Sequence, residues 1–484
     1  MNWKTISRNI GYALLVSALF MFLSVLVSVC NGADSALTPL VISFTITFVC
    51  GIFPFIFVRR TSAISLKEGY VIITLSWLLS FVFGMLPYAL WGGPMTLDNA
   101  WFESVSGFTT TGSTAIADVE ALPRGLLFWR ASTHFIGGLG VVVFLLLIIP
   151  GSSPMKLRLA NMELSSLSKG EYSVRANRTV YVFAAVYIGL AVVAFLCYWA
   201  AGMPAFDAIC HAMSVCATGG FSSRNQSIAA FDSRLIEGLT MLFMYLSSLH
   251  FGLVFLSFAL RSLKPLRKPV IKFYTLCILC VGVLLGLGFK FCAIEDNVWR
   301  ALWNGLFQTL CVSSTTGFTI MDNSLWPLPL SLLLLFMAVM CGCAGSTSGG
   351  VKADRVLLLL KASACHIRRI LHPTSVGEVK LGSHVLKDDE VFPHLLYIAT
   401  YCVLIAISAL LTMSLGVDNQ NALAASVTSL GNVGPALGQM GTLGSFAGAP
   451  EAAKFIYTVD MFLGRVEIYP VLAVVAMIFD RRSR

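Results

Sequence analysis

A series of long apolar runs constrains the fold of this chain more than any other feature. A helix needs about 20 predominantly apolar residues to cross a bilayer, and ten runs of that order follow one another along the 484 residues. They are Ile10–Cys30, Leu37–Val58, Tyr70–Trp91, Leu126–Pro150, Val180–Ala201, Leu235–Leu260, Val270–Cys292, Leu328–Leu360, Val391–Leu415 and Ala452–Phe479. We therefore predict an all-α integral membrane protein with ten spanning helices.

Composition and charge agree with a membrane protein. Only 12% of the residues are charged, against about a quarter in soluble chains. The net charge of +9 does not indicate nucleic-acid binding, because the basic residues lie in short loops between apolar runs. Thirteen cysteines could suggest metal or redox chemistry. The closest pairs, Cys277 with Cys280 and Cys341 with Cys343, lie inside apolar segments, which favours structural cysteines.

The distribution of charge predicts the orientation in the membrane. The first run is too long for the apolar core of a signal peptide, so we expect a retained helix. Basic residues gather on one side, in the loops around Arg59, Lys156, Arg261 and Lys361 and at both termini, which predicts cytoplasmic termini. The opposite side is acidic. That acidity either concentrates cations at the outer surface or only reflects exclusion of acids from the basic side.

Four shorter stretches lie between these runs and are too short to cross a bilayer. They are Leu97–Phe108, Ala205–Val215, Val298–Ser313 and Asn419–Leu430. Each leads into a short loop with a glycine, which we align as Gly112, Gly219, Gly317 and Gly434. The pattern predicts four repeats of span, re-entrant helix, loop and span, after two leading helices. Four unrelated turns are the alternative, which one copy alone would favour.

Such repeats suit the passage of cations. A re-entrant helix that enters from outside points its partially negative C-terminal end at the membrane centre. Extended residues after it can direct carbonyl oxygens at a common axis and replace the hydration shell of an ion. Glycine permits the left-handed backbone that such a loop often needs. We expect selectivity to depend on carbonyls and glycines, and not on the threonine hydroxyls.

The loop sequences resemble those of the Trk/Ktr/HKT superfamily of potassium transporters, nearest to its bacterial TrkH and TrkG subunits. The similar segments are Phe102–Gly112, Ala217–Ser222, Ser314–Thr319, Leu430–Pro435, Gly342–Gly350 and Met461–Glu467. The resemblance covers nearly the whole chain. It implies a potassium-channel-like pore, a homodimer in the cytoplasmic (inner) membrane, and a cytoplasmic TrkA-like nucleotide-binding regulatory subunit. A glycine in every loop implies K⁺ as the transported ion, because a serine in the first loop accompanies sodium transport in some plant relatives.

The resemblance also implies boundaries and sites. Residues 1–66 would form two leading helices, and 67–155, 156–265, 266–385 and 386–484 the four pore repeats. The predicted selectivity filter, which would bind K⁺, comprises Thr110, Thr111, Gly112, Ala217, Thr218, Gly219, Thr315, Thr316, Gly317, Asn432, Val433 and Gly434. The predicted gating residues are Gly345, Ser346, Thr347, Ser348, Gly349, Gly350, Lys352 and Arg465.

Two of these gating features can be argued from the residues alone. Six small or hydroxyl residues at Gly345–Gly350 should break a membrane helix, although a small-residue contact between helices is the alternative. Arg465 lies deep in the last run and should face the pore or this loop, repelling cations or positioning the loop. A structural bridge between helices is the alternative. On a continuous helix, Asp460 and Glu467 would share a face and Arg465 would point away from them.

The remaining polar residues carry weaker expectations. His134, His211 and His250 are interpreted as packing or hydrogen-bonding residues, and Glu103 and Asp207 as acids at helix N-termini. The predicted function is potassium uptake through a gated pore. A sodium- or proton-coupled symporter or a sodium-permeable pore remains an alternative. A membrane enzyme or receptor is disfavoured, because the longest polar segments contain no convergent catalytic group.

Overall fold

The computed structural model describes residues 1–58, 64–93, 95–138, 140, 176–324, 326–372, 378–381, 384–386, 388–436 and 440–479. Within these residues the regular secondary structure is helical, apart from one antiparallel hairpin of β1 (Val379–Leu381) and β2 (His384–Leu386). The predicted all-α class is confirmed. Several basic segments used to predict the orientation, at 59–63, 141–175 and 480–484, lie outside the described residues.

Among the described residues, fourteen helices form the frame of the protein. These are α1 (Trp3–Cys30), α2 (Leu37–Phe57), α3 (Leu66–Gly84), α4 (Leu86–Trp91), α6 (Arg124–Gly138), α7 (Ala176–Ala200), α9 (Arg234–Ser248), α10 (Phe251–Ala259), α11 (Pro269–Phe291), α13 (Leu328–Met340), α14 (Ala353–Leu371), α15 (Asp388–Ser414), α17 (Glu451–Arg465) and α18 (Ile468–Phe479). Among the described residues, six spans are long and apolar enough to cross a membrane, and eight if two bent pairs count as single spans. The predicted run at Leu126–Pro150 extends beyond the described residues.

Two of the predicted spans, Leu235–Leu260 and Ala452–Phe479, are not continuous helices, because each is divided into two helices by a bend. The chain bends by 105° between α9 and α10 and by 110° between α17 and α18. At the first bend, the His250 ring nitrogen Nδ1 accepts a hydrogen bond from the Gly252 amide at 3.1 Å and caps α10. At the second, Glu467 adopts a left-handed backbone with φ of 60°. Hydropathy cannot reveal either break, because apolar residues continue on both sides.

Four short helices lie close to the predicted positions. They are α5 (Leu97–Phe108), α8 (Ala205–Cys216), α12 (Val298–Ser313) and α16 (Asn419–Gly431). Polar side chains begin two of them: the Asn297 side chain accepts hydrogen bonds from the amides of Trp299 and Arg300, and Asp418 caps α16 in the same way. These caps satisfy amides that have no partner inside the helix.

The short helices pack against the frame in a cyclic order. α5 contacts α17, α8 contacts α6, α12 contacts α9, and α16 contacts α13. The frame helices α6, α9, α13 and α17 each follow one short helix in the chain and contact the next short helix, and α17 closes the cycle by contacting the first, α5. The two leading helices lie outside this cycle, since α1 packs on α2, α3 and α6. This arrangement brings the C-terminal ends of the four short helices together.

Candidate functional site

The four loops after the short helices share one backbone conformation. A residue other than glycine first adopts a left-handed conformation; these residues are Thr110, Thr218, Thr315 and Asn432, with φ of 53°, 53°, 59° and 53°. Two positions later comes a left-handed glycine, at Gly112, Gly220, Gly317 and Gly434, with φ of 81°, 83°, 74° and 100°. The amide of the intervening residue bonds back into its helix in every loop, as from Thr111 to the Ser106 carbonyl oxygen at 2.9 Å. The loops are therefore conformational equivalents.

The second loop corrects the predicted alignment by one residue. Gly219 was aligned with Gly112, but the backbone places Gly220 at that position and Gly219 at the position of Thr111. The amide of Gly219 confirms this register, because it donates to the Ser214 carbonyl oxygen at 2.9 Å, as Thr111 does to Ser106. Ala217 then follows α8 as its C-cap residue. Two adjacent glycines made the register ambiguous from sequence.

The four left-handed glycines lie against backbone carbonyls of neighbouring loops. A Cβ atom placed on each glycine would lie 1.9 Å from the Gly219 oxygen for Gly112, 1.9 Å from the Thr316 oxygen for Gly220, 2.6 Å from the Val433 oxygen for Gly317, and 2.5 Å from the Thr111 oxygen for Gly434. All four oxygens belong to equivalent positions, and the contacts run from first to second, third, fourth and back to first loop. The loops therefore form a closed ring that excludes side chains at these glycines.

Several hydroxyl groups of the ring form hydrogen bonds with other protein atoms. The hydroxyl Oγ1 of Thr111 lies 2.8 Å from that of Thr109 and accepts from the Asn432 side-chain amide at 3.0 Å. In the third loop, the hydroxyls of Ser314 and Thr316 are 2.8 Å apart. These bonds stabilise the loops from within. The contacts between neighbouring loops are instead made by backbone carbonyl oxygens beside the left-handed glycines.

The predicted break at Gly345–Gly350 is present, since residues 341–352 between α13 and α14 are not helical. This intramembrane loop lies directly against the ring. The Gly349 amide donates to the Thr315 hydroxyl at 3.2 Å, and the Thr347 hydroxyl donates to the Cys216 carbonyl oxygen at 3.1 Å. The small side chains of the loop allow this close approach.

Arg465 holds the intramembrane loop against α6. Its guanidinium donates to the Thr347 carbonyl oxygen at 2.6 Å, and to the carbonyl oxygens of Gly137 and Gly138 at 2.5 and 2.9 Å. These contacts direct Arg465 toward the loop, one of the two predicted orientations, and they also connect α17 to α6 as the alternative of a bridge expects. Arg465 also lines a cavity with Ser346–Gly350, Lys352 and Glu467. A fixed positive charge thus borders both the loop and the cavity.

The other charges near the loop are paired or bonded to backbone. Lys352 donates to the Ser348 carbonyl oxygen at 2.5 Å, and Asp354 accepts from the Ala344 amide at 2.5 Å. Glu467 pairs with Arg355 at 2.9 Å. The prediction that Asp460 and Glu467 share a helix face is wrong, because α17 ends at Arg465 and Glu467 lies in the bend.

Glu103 does not lie at a helix N-terminus as predicted. It lies in the middle of α5, is buried, and pairs with the buried Arg130 at 2.6 Å. Arg130 is not among the residues predicted from sequence, although a charged residue within a long apolar run is a signal in itself. Asp207 does lie in the first turn of α8 as expected.

Two acidic residues on the side of the chain predicted to be external form ion pairs with basic residues. Asp207 pairs with Arg224 at 2.8 Å, which raises the pKa of the Arg224 guanidinium. Asp98 pairs with Lys454 at 2.9 Å. Arg224 also lines a cavity bordered by three of the ring glycines, Gly112, Gly220 and Gly317. The cavity wall therefore carries a basic residue where an acidic surface was expected.

The three histidines have packing and hydrogen-bonding contacts. His134 stacks on Phe221 with ring centroids 4.1 Å apart, and its Nδ1 lies 3.0 Å from the Ser214 hydroxyl. His211 contacts the Ser222 hydroxyl at 2.9 Å. His250 caps α10 at the bend described above. Two of these histidines thus support the second loop.

An all-helical membrane protein whose loops form a ring of glycines and carbonyls is built as a cation transport protein. The chain belongs to the TrkH family, whose model, described as a cation transport protein, matches residues 40–294 and 295–482. This places the chain among transport proteins and not among enzymes, and the predicted membership is confirmed.

Relatives match along almost the whole chain. The Trk system potassium uptake protein TrkH of Salmonella typhimurium is 33% identical, over 99% of this chain and 100% of its own length. The Trk system potassium uptake protein TrkG of Escherichia coli K12 is 31% identical over 88% of both chains. The crystal structure of the potassium transporter TrkH from Vibrio parahaemolyticus covers 99% of this chain and 100% of that one, with TM-score 0.88 and 30% identity.

Proposed function

We propose that this protein takes up potassium across the cytoplasmic membrane, with the ring of four loops as its selectivity filter. The single observation that carries the proposal is the closed series of contacts between left-handed glycines and equivalent carbonyl oxygens. Rings of backbone carbonyls replace the hydration shell of K⁺ in known channels. The relatives named as potassium uptake proteins support the choice of ion.

The ion-binding residues follow from the backbone register. We assign Thr110, Thr111 and Gly112 from the first loop, and Thr315, Thr316, Gly317, Asn432, Val433 and Gly434 from the third and fourth. In the second loop we assign Thr218, Gly219 and Gly220, with Ala217 at the end of the helix. Four repeats, with the boundaries given above, would surround one axis after the two leading helices.

The intramembrane loop is proposed as the gate. Two observations support this role: the loop contacts Thr315 and Cys216 next to the proposed filter residues, and Arg465 and Lys352 bond to its backbone carbonyls. Opening requires these hydrogen bonds to break or rearrange. A cytoplasmic nucleotide-binding subunit of the TrkA type would control that step, and the protein would act as a homodimer in the inner membrane with cytoplasmic termini.

Transport by the purified protein in liposomes tests the proposal. With K⁺ inside and Na⁺ outside, or the reverse, we expect a reversal potential close to that of a K⁺-selective pore. Reversal potentials that shift with a proton or sodium gradient at fixed K⁺ would instead indicate a symporter. Equal K⁺ and Na⁺ permeability would contradict the potassium filter, and absence of any flux with partner subunit present would contradict a pore.

Arg224 provides a further prediction about the outer cavity. Arg224→Gln should lower the K⁺ concentration for half-maximal flux by about 1.4- to fivefold, because exposed ion pairs contribute about 0.2–1 kcal/mol. The substitution leaves the Asp207 carboxylate without its positive partner, so cations concentrate near the ring. The measurement is flux against external K⁺ at low ionic strength. The effect should fade in high concentrations of an impermeant salt, and a rise in half-saturation would contradict the assignment.

A further inference from the structure

One position in the four short helices reaches the segment beyond the glycine ring. This position lies nine residues before the left-handed glycine and carries Glu103, His211, Gln308 and Ala425. The Glu103 carboxylate accepts from the Ala115 amide at 3.1 Å, His211 contacts the Ser222 hydroxyl at 2.9 Å, and Gln308 donates to the Thr319 hydroxyl at 3.3 Å. Alanine cannot make such a bond. Three of the four loops are therefore supported from the same place, each by a different chemical group.

The first of these supports is an ion pair that spans two loops. Arg130 on α6 binds Glu103 through Nε at 2.6 Å and donates from Nη1 to the Ser222 carbonyl oxygen at 3.1 Å. Its guanidinium carbon also lies 4.0 Å from the centre of the Phe221 ring. Ser222 and Phe221 follow Gly220 in the second loop. The pair therefore connects the first loop, through Ala115, to the second.

Both side chains are enclosed by protein. Glu103 is 0% and Arg130 2% exposed, so the pair has lost nearly all contact with solvent. Burying two charges carries a large desolvation cost, and a buried ion pair seldom adds stability over a well-packed apolar pair. The guanidinium of Arg130, however, carries a rigid planar set of donors, which fixes the geometry of its partners in a way that apolar contacts do not. The buried charges of Glu103 and Arg130 are therefore better explained by the positioning of the loops than by a gain in the stability of the fold.

We propose that Glu103 and Arg130 are positioning residues that hold the first and second filter loops in register and so set discrimination between K⁺ and Na⁺. This inference rests on the proposed filter function. Neither residue faces the ion; both act through the backbone of Ala115 and Ser222. Because Gly112 and Gly219 form the contact between these same loops, a shift of one loop changes the spacing of the carbonyls that face the ion.

The test compares K⁺ to Na⁺ permeability ratios of variants in liposomes. Glu103→Gln and Arg130→Gln should each lower the ratio at least about threefold, and the double variant should be little worse than either, since contacting residues are energetically coupled. Arg130→Lys should rescue part of the ratio, because it keeps the charge but lacks the fork. Arg234→Gln, which removes the ion-pair partner of Glu237 within α9, is the matched control and should keep the ratio.

Folding and function can be separated in this experiment. If a single variant fails to fold, Glu103→Met with Arg130→Met removes both charges without leaving one buried alone, and this double variant should fold and still lose discrimination. A wild-type ratio in any folded pair variant, or simple additivity of the two Gln substitutions, would overturn the inference. Gly112→Ser is measured in parallel. If it also keeps the ratio, the proposed filter itself is wrong, whereas loss in Gly112→Ser alone rejects only the positioning role.

Discussion

Gly112→Ser is expected to reduce the K⁺ to Na⁺ permeability ratio by about tenfold or more, since overpacking a tight site costs about 1–3 kcal/mol. A Cβ atom at this position would lie 1.9 Å from the Gly219 carbonyl oxygen, which is far inside contact distance. Serine would also have to adopt φ of 81°, a region that favours glycine. The two loops must therefore separate, and the separation widens the spacing of the carbonyls that replace water around the ion.

Gly32→Ser is the matched control for this result. Gly32 has φ of 82°, but no heavy atom lies within 4 Å of a Cβ placed there. The substitution therefore imposes the same backbone strain without a clash at the ring, and the permeability ratio should remain at the wild-type value. Reversal potentials measured with K⁺ and Na⁺ on opposite sides of the membrane provide the comparison. A wild-type ratio in Gly112→Ser would contradict the filter assignment.

Arg465→Ala is expected to raise flux in the absence of the regulatory subunit by about tenfold or more, since hydrogen bonds to charged groups contribute about 1.5–3 kcal/mol each. The guanidinium binds the Thr347 carbonyl oxygen in the intramembrane loop and the Gly137 and Gly138 carbonyl oxygens at the end of α6. Alanine removes these attachments and the positive charge together. The loop then leaves its place against the filter more often, and K⁺ flux into liposomes measures how often.

A second substitution separates the two roles of Arg465. Arg465→Lys keeps the positive charge but lacks the planar fork that reaches several carbonyls at once. If Arg465 acts by holding the loop, the lysine variant should leak nearly as much as the alanine variant. If it acts by repelling cations, the lysine variant should remain closed. Arg8→Ala, which removes a remote arginine bonded to the Val58 carbonyl oxygen, should not leak. Wild-type basal flux in Arg465→Ala would contradict both roles.

The short helices could be predicted from sequence because their ends are chemically marked. Polar caps at Asn297 and Asp418 begin two of them, and a left-handed residue followed two positions later by a left-handed glycine comes after all four. The bends at His250 and Glu467 could not be predicted from hydropathy, because long apolar stretches lie on both sides of each bend. What makes these bends possible is tertiary: the Phe251 amide donates to the Gly345 carbonyl oxygen of the intramembrane loop at 3.0 Å.

For the charged residues too, one part could be predicted from sequence and another part could not. The expense of a charge in an apolar segment drew attention to Arg465, but its acceptors are backbone carbonyls on two distant segments. Glu103 and Arg130 are 27 positions apart and on different helices, so no periodicity joins them. Sequence predicts that such a charge needs a partner. Only the packing of α5 against α6 identifies which partner it has.

A ring built from one chain has a consequence for how this protein can vary. In an assembly of four identical subunits, each substitution is repeated four times around the axis. Here every position of the ring is encoded separately. Asn432, for example, occupies the position at which the other three loops have threonine. Selection can therefore change one loop at a time. At each ring position, four independent single substitutions are possible here, whereas a symmetric tetramer allows only one, which appears in all four subunits. The fourth loop is an example: Ala425 cannot bond to the segment beyond Gly434, and the Asn323 side chain donates to the Ala436 carbonyl oxygen at 3.0 Å instead.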